Sequence, residues 1–306
     1  MSDLLLSDYP DENLSGWNPE KEQEYIEELM RNSVTMDEFT SCTYNSSKIP
    51  EEHFPDYLKI EDQKQQGACQ GKANTSCTEV DEYLESGCKK VVHYSAQFAY
   101  EGTQKIDGIR GDRGSTITGG AKFAKEIGHC LDKYWPYTGR HSGGRIPREC
   151  YENAEKKVKT TVHLKTADEV IKFITGGHGA VLSGSLWPKL MDSQKVINQF
   201  LGPRRGDRHG GGHAVCFWGW RTVAGEIELI LNNSWGIKFW GGGPGMEGRK
   251  YTTYNALREM ERHEFTCWFG FTGQRPEIDE DGNDNDDSDS GQRIVLKSFT
   301  EDSPYW

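Results

Sequence analysis

The spacing of apolar residues changes near residue 160, and that change restricts the chain to folds in which helices and strands are segregated along the sequence. Before it the spacing is helical. Asn18-Pro19-Glu20 is a helix start, with asparagine as cap, proline in the first turn and acids at the positive end, and Tyr25, Ile26, Leu29 and Met30 supply an apolar stripe. Ala73, Cys77, Val80 and Leu84 recur at four, three and four across residues 70–84. Ser95 caps a helix carrying Phe98, Ala99 and Tyr100, and Ile117, Ala121, Ala124 and Ile127 mark another that stops at Gly128. Beyond residue 160, Thr166 and Glu169 form a capping box for one more helix, ended by Gly176-Gly177. Residues 180–182, 213–220 and 227–231 are short apolar runs between glycine-rich or charged segments, as in a compact β lobe. The expected class is α+β.

Residues of the hydrophobic types make up 34% of the 306, and 35 glycines raise the apolar usage to that of globular domains with a core. No window approaches the roughly 18 uncharged apolar residues of a spanning helix. The first eight residues lack the basic flank and apolar run of a signal peptide, so neither a membrane nor the secretory route is expected. Eight cysteines are scattered without a Cys-x-x-Cys, which points to no zinc site and no disulfide scaffold and fits a reducing compartment. Charge is segregated too. Residues 1–62 hold 16 acids and 4 bases, residues 276–306 hold 10 acids and 2 bases, and the middle is left at +8 within a total of -12. The acidic ends are expected to lie across the basic middle or to bind a basic partner. Residues 279–290 are almost all Asp, Asn, Gly and Ser and read as a solvated linker, not a calcium loop, since the glycine and glutamate of that loop are missing; residues 294–296 read as a late strand. No nucleic-acid signature is present.

Three segments carry chemistry. In Gln63-Lys64-Gln65-Gln66-Gly67-Ala68-Cys69 a glycine turn delivers a cysteine to the first turn of a helix, where the helix end favours a thiolate; the same segment read alone serves equally for one of eight small buried residues. Gly210-Gly211-Gly212-His213 opens an apolar strand, and Asn232-Asn233-Ser234-Trp235-Gly236 closes another. A nucleophile, a base to take its proton and an amide to fix the imidazole are all present. His178 and His209 read first as loop residues.

With these residues in this order the chain resembles the papain-like cysteine peptidases over residues 53–272, and is nearer to microbial or viral members. Ser95-Ala96-Gln97-Phe98-Ala99-Tyr100 and Tyr134-Trp135-Pro136-Tyr137 resemble two further landmarks of that family. The resemblance implies a two-lobed fold: an acidic extension (1–52), a helical lobe with the nucleophile (53–160), a β-barrel-like lobe with histidine and asparagine (161–275), an acidic linker and tail (276–306), and the active site in the cleft between the lobes. It implies Cys69 as nucleophile, His213 as general base, Asn233 as its orienting amide, Gln63 as oxyanion donor and Trp235 as the shield of the His/Asn pair, with Gly67, Gly212 and Trp235 on the substrate side. It implies a protein or peptide substrate and no metal or cofactor. Lys64, Gln70 and Lys72 depart from the family pattern, and Gln66 stands where secreted members have a disulfide cysteine, so a cytoplasmic or virion-associated location is expected. Residues 1–52 lack the long patterned helix of the family's inhibitory prosegment, and no control by such a segment is expected. Two other functions use the same residues: a papain-fold structural or interaction protein, for instance in a virion, and a hydrolase of peptide crosslinks in cell walls.

Overall fold

The computed structural model describes residues 16–18, 21–22, 34–36, 58–188, 199–200, 209–237, 248–263 and 266–273. In them the segregation of helix and strand is present. Helices α1 (Cys69–Glu85), α2 (Ala96–Asp107), α3 (Ile117–Lys122) and α4 (Arg148–Glu152) come first. Strands β2 (Thr160–Leu164), β3 (Ala180–Pro188), β4 (Gln199–Phe200), β5 (His209–Val223), β6 (Glu226–Asn232), β7 (Arg249–Thr253) and β8 (Cys267–Thr272) follow, with α5 (Ala167–Thr175) and α6 (Tyr254–Glu261) among them. A short β1 (Val34–Thr35) from the N-terminal extension joins the same sheet, whose order is β1-β2-β8-β3-β5-β6-β7-β4. The pairs are antiparallel except the outermost, β1 with β2 and β4 with β7.

The local signals act as their chemistry predicts. Ser95 accepts from the Phe98 amide, Thr116 from that of Gly119, and Thr166 and Glu169 form both halves of the capping box. Asn18 Oδ1 accepts from the Lys21 amide at 2.9 Å; the Tyr25, Ile26, Leu29 and Met30 stripe lies outside the described residues, as do the 279–290 linker and residues 294–296. The helix expected over 117–127 is α-helical only to Lys122 and then widens into one π turn, Phe123–Ile127, before Gly128 reverses the chain at φ 91°. Lys64, at a glycine position of the family resemblance, takes the left-handed φ of 53° that glycine takes without cost.

Helix α1 is buried more completely than its stripe predicts. Every residue from Cys69 to Asp81 is buried, because the helix runs between α2 on one side and β3 and β5 on the other. A helix enclosed in this way must satisfy its polar side chains internally. Asn74 donates to the Gly120 carbonyl and pairs with His129 Nε2, each at 2.8 Å, and Gln70 Oε1 accepts from Ser115 Oγ at 2.9 Å. Gln70 through its oxygen, and Lys72 through Glu61, therefore fit the interior by polar partners, although Gln70 Nε2 has none among the described residues. Gly71 lets α2 approach: a Cβ there would stand 2.6 Å from Tyr100 Cβ. The main core joins α1, α5 and the sheet through Val80, Phe173, Phe217, Leu231 and Phe271, all fully buried. Among the described residues no helix is long and apolar enough to cross a membrane.

Candidate active site

Cys69 is the first residue of α1, reached through a tight turn in which the Gln66 amide donates to the Gln63 carbonyl and the Ala68 amide to that of Gln66. Gly67 is fixed by its amide on Asp112 Oδ1 at 2.9 Å. Because β5 packs on α1, the residue after His213 meets the sulfur: the Ala214 amide donates to Cys69 Sγ at 3.3 Å. Asn233 follows the end of β6, the neighbour of β5, and its Oδ1 lies 2.7 Å from His213 Nε2. Since that oxygen only accepts, and also takes the Ser234 amide at 2.8 Å, Nε2 carries the proton. The Trp235 ring lies over the imidazole at 4.5 Å and 30°, and Trp187 meets it edge-on at 4.7 Å and 77°. Sequence reasoning missed Trp187; an aromatic at the end of an apolar strand, just before Pro188, carries the same signal as any core residue.

Gln63 joins this group across two segments. Its Nε2 donates to the Gln66 carbonyl at 3.1 Å, and its Oε1 accepts from Ser234 Oγ at 2.6 Å. Its backbone amide donates to the Ser234 carbonyl at 2.7 Å, Asp62 bridges Trp235, and the Gly236 amide donates to the Glu61 carbonyl. Residues 61–63 are thus sewn to 234–236. The fold brings Gln63, Gly67, Cys69, His213, Asn233 and Trp235 together, with Gly212 buried on β5 opposite Leu186.

The sulfur has no access to solvent. Cys69 is 0% exposed, and the chain's own Gly16 lies against its sulfur. A Cβ on residue 16 would stand 2.5 Å from the Gly67 carbonyl oxygen and 2.6 Å from Cys69 Sγ, so only glycine fits. Gly16 accepts from the Ser115 amide and the Asn18 amide donates to the Ser115 carbonyl, both at 3.0 Å, a parallel bridge centred on Trp17. Trp17 is buried and donates to Glu22 Oε2 at 2.8 Å; Glu22 in turn accepts from the Ile117 and Thr118 amides at 2.6 and 2.7 Å, at the positive end of α3. Gly16 of the acidic extension thus lies on the nucleophile, a contact that the missing prosegment helix did not lead one to expect. In this closed arrangement the expected thiolate is disfavoured: burial pushes the Cys69 thiol up to about 12, outweighing the Ala214 and Gly16 amides that pull it down.

The cover is linked to pH. Burial raises Glu22 above its ordinary 4.5, against the donors on Thr118, Trp17 and Ile117. Burial also raises the adjacent Asp107 to about 7, where it accepts from Thr116 N and Oγ1, and the charge of Glu22 adds to that shift while Lys21 opposes it. A carboxyl raised in the docked state binds its proton more tightly there than when freed, so deprotonation, which begins above the free value of 4.5, favours the freed state. Raising the pH above that value therefore weakens the cover. Alkylation of Cys69, relative to the exposed Cys88, is expected to rise more steeply from pH 5 to 8 in the native chain than in Glu22→Gln; equal slopes would remove Glu22 as the linked group.

No protein-family model matches the chain, and no curated protein sequence does. Solved structures do. Xylellain, a cysteine protease from Xylella fastidiosa, superposes with a TM-score of 0.61 at 19% identity, over 80% of this chain and 92% of that one. The proform of Amb a 11, a cysteine protease and ragweed pollen allergen, gives 0.59 at 15% identity, over 88% and 78%. The Carica candamarcensis cysteine protease CMS1MS2, solved in complex with E-64, gives 0.53 at 16%, over 74% and 100%. The fold is papain-like and of the α+β class.

Proposed function

We propose that the chain is a cysteine endopeptidase whose cleft lies between a helical lobe (53–160) and a β lobe (161–275) and is held closed by residues 16–18 with 21–22. The observation that carries this reading is the 2.7 Å contact of His213 Nε2 with Asn233 Oδ1 beside a helix-start cysteine that the next amide of the same strand reaches at 3.3 Å. With Nε2 protonated toward Asn233, Nδ1 is the nitrogen that exchanges a proton with the thiol. Once the cover leaves, burial no longer opposes ionisation, and the helix end and the Ala214 amide favour the thiolate. The thiolate adds to the peptide carbonyl carbon. The Cys69 amide and Gln63 Nε2 hold the resulting oxyanion, which requires Gln63 to exchange its bond to Gln66 for one to substrate. His213 protonates the leaving amine, then takes a proton from water as the water attacks the thioester.

Gln66 in place of a disulfide cysteine supports a microbial or viral place in the family and a reducing, cytoplasmic or virion-associated site of action. Burial of Cys69 also suits a papain-fold interaction protein without turnover, and activity after opening the cover separates the two. With the cover opened, Gln63→Ala is expected to lower peptide turnover by about 10- to 1000-fold while sparing Cys69 alkylation. Asn233→Ala is expected to lower both, because it releases the imidazole. Turnover unchanged in both variants would show the roles to be misassigned.

A further inference from the structure

We infer that Lys72 is a positioning residue that fixes the loop carrying Gln63, an inference that rests on the peptidase reading. Lys72 stands one turn beyond Cys69 on α1 and is 3% exposed. Its Nζ pairs with the buried Glu61 carboxylate at 2.5 Å and sits 3.6 Å over the centre of the Tyr137 ring. Tyr137 in turn donates its hydroxyl to the Gln63 carbonyl at 2.8 Å, and the Glu61 carbonyl accepts from the Gly236 amide at 2.9 Å. One cation thus ties the nucleophile's helix to both ends of the three residues, 61–63, that present the oxyanion donor.

Stability does not account for such an arrangement. A buried ion pair is often matched or bettered by apolar residues of the same volume, because removing two charges from water costs about as much as their attraction returns. Here burial lowers the Lys72 pKa against the opposing pull of Glu61, so the cation is held at a cost. What the pair supplies is direction. A carboxylate and an aromatic face define where the ammonium stands, and the ammonium then limits where Glu61 and Tyr137 can move. The other charges facing it are Lys59, 3.9 Å from the second oxygen of Glu61, and Asp132.

The test uses the full chain opened by Gly16→Ala, with a peptide ester as substrate and iodoacetamide as thiol probe. Lys72→Met keeps the length of the side chain and removes its charge. It is expected to lower kcat by about 3- to 10-fold, less than the loss in Gln63→Ala itself, with KM and Cys69 alkylation within about twofold of the parent. In a Gln63→Ala background it is expected to change nothing further, since the two act as a unit. Tyr137→Phe, which removes one hydroxyl, should show the same pattern and carries the test if Lys72→Met folds poorly. Full turnover in Lys72→Met while Gln63→Ala is impaired, or losses that multiply in the double variant, would overturn the inference and leave the peptidase standing. No turnover in the opened parent, with its Cys69 freely alkylated, would overturn both.

Discussion

Gly16→Ala is expected to convert the chain from a closed to an open form and to raise the rate of Cys69 alkylation near pH 7.5 by about 1000-fold. The new methyl would have to occupy space 2.5 Å from the Gly67 carbonyl oxygen and 2.6 Å from the sulfur, and neither the backbone of the turn nor a residue locked at a helix start has room to yield. The magnitude follows from ionisation. A thiol at about 12 is almost wholly protonated at neutral pH, whereas one near ~8.5 or below is about one-tenth thiolate or more. In the native chain the exposed Cys88 should therefore label before Cys69, and in the variant the order should reverse. Labelling of Cys69 at equal rates in both chains, read by peptide mapping, would show that Gly16 is not the barrier. Trp17→Ala should act in the same direction, because it empties a buried site and frees the Glu22 carboxyl group that Trp17 helps to hold.

The second large effect is expected of the nucleophile. In the opened chain Cys69→Ala should lower peptide turnover by about 10,000-fold or more, down to the background of binding and oxyanion stabilisation alone. Helix α1 should persist, since the β-carbon and the enclosed face of the helix are retained. Comparison of peptide cleavage by Gly16→Ala and by Gly16→Ala with Cys69→Ala gives the result directly, with unchanged circular dichroism as the control for folding. Cleavage surviving in the double variant would assign the activity elsewhere.

Much of this site was legible because each residue stands where local chemistry leaves a mark. A glycine turn before a helix start, glycines before an apolar strand and an amide at a strand's end make Cys69, His213 and Asn233 candidates, and their joint order, through the family resemblance, gives them roles. The cover is a different matter. Gly16 and Trp17 have no periodic neighbours, and their docking depends on the Ser115 amide and carbonyl and on the start of α3, about a hundred residues away. The thiol's ionisation could not be read for the same reason: the helix end that favours a thiolate is local, whereas the burial that reverses it comes from that distant segment. Lys72 looked out of place on an apolar helix because its partners, Glu61 and Tyr137, come from other segments. In the fold, β8 went unread although it lies between β2 and β3 in the sheet. All six of its residues are buried, and a continuous apolar run has no alternation to reveal a strand. The long β5 was seen only over its central apolar part.

The covalent intermediate tests the central claim most directly. Gly16→Ala would be mixed with a peptide ester, quenched in acid within milliseconds to seconds, and examined by intact mass and peptide mapping. The account predicts a single acyl group on Cys69, formed before product accumulates and absent from the His213→Ala version of the same chain. Product formed without any adduct on Cys69, or an adduct on another of the cysteines, would contradict it.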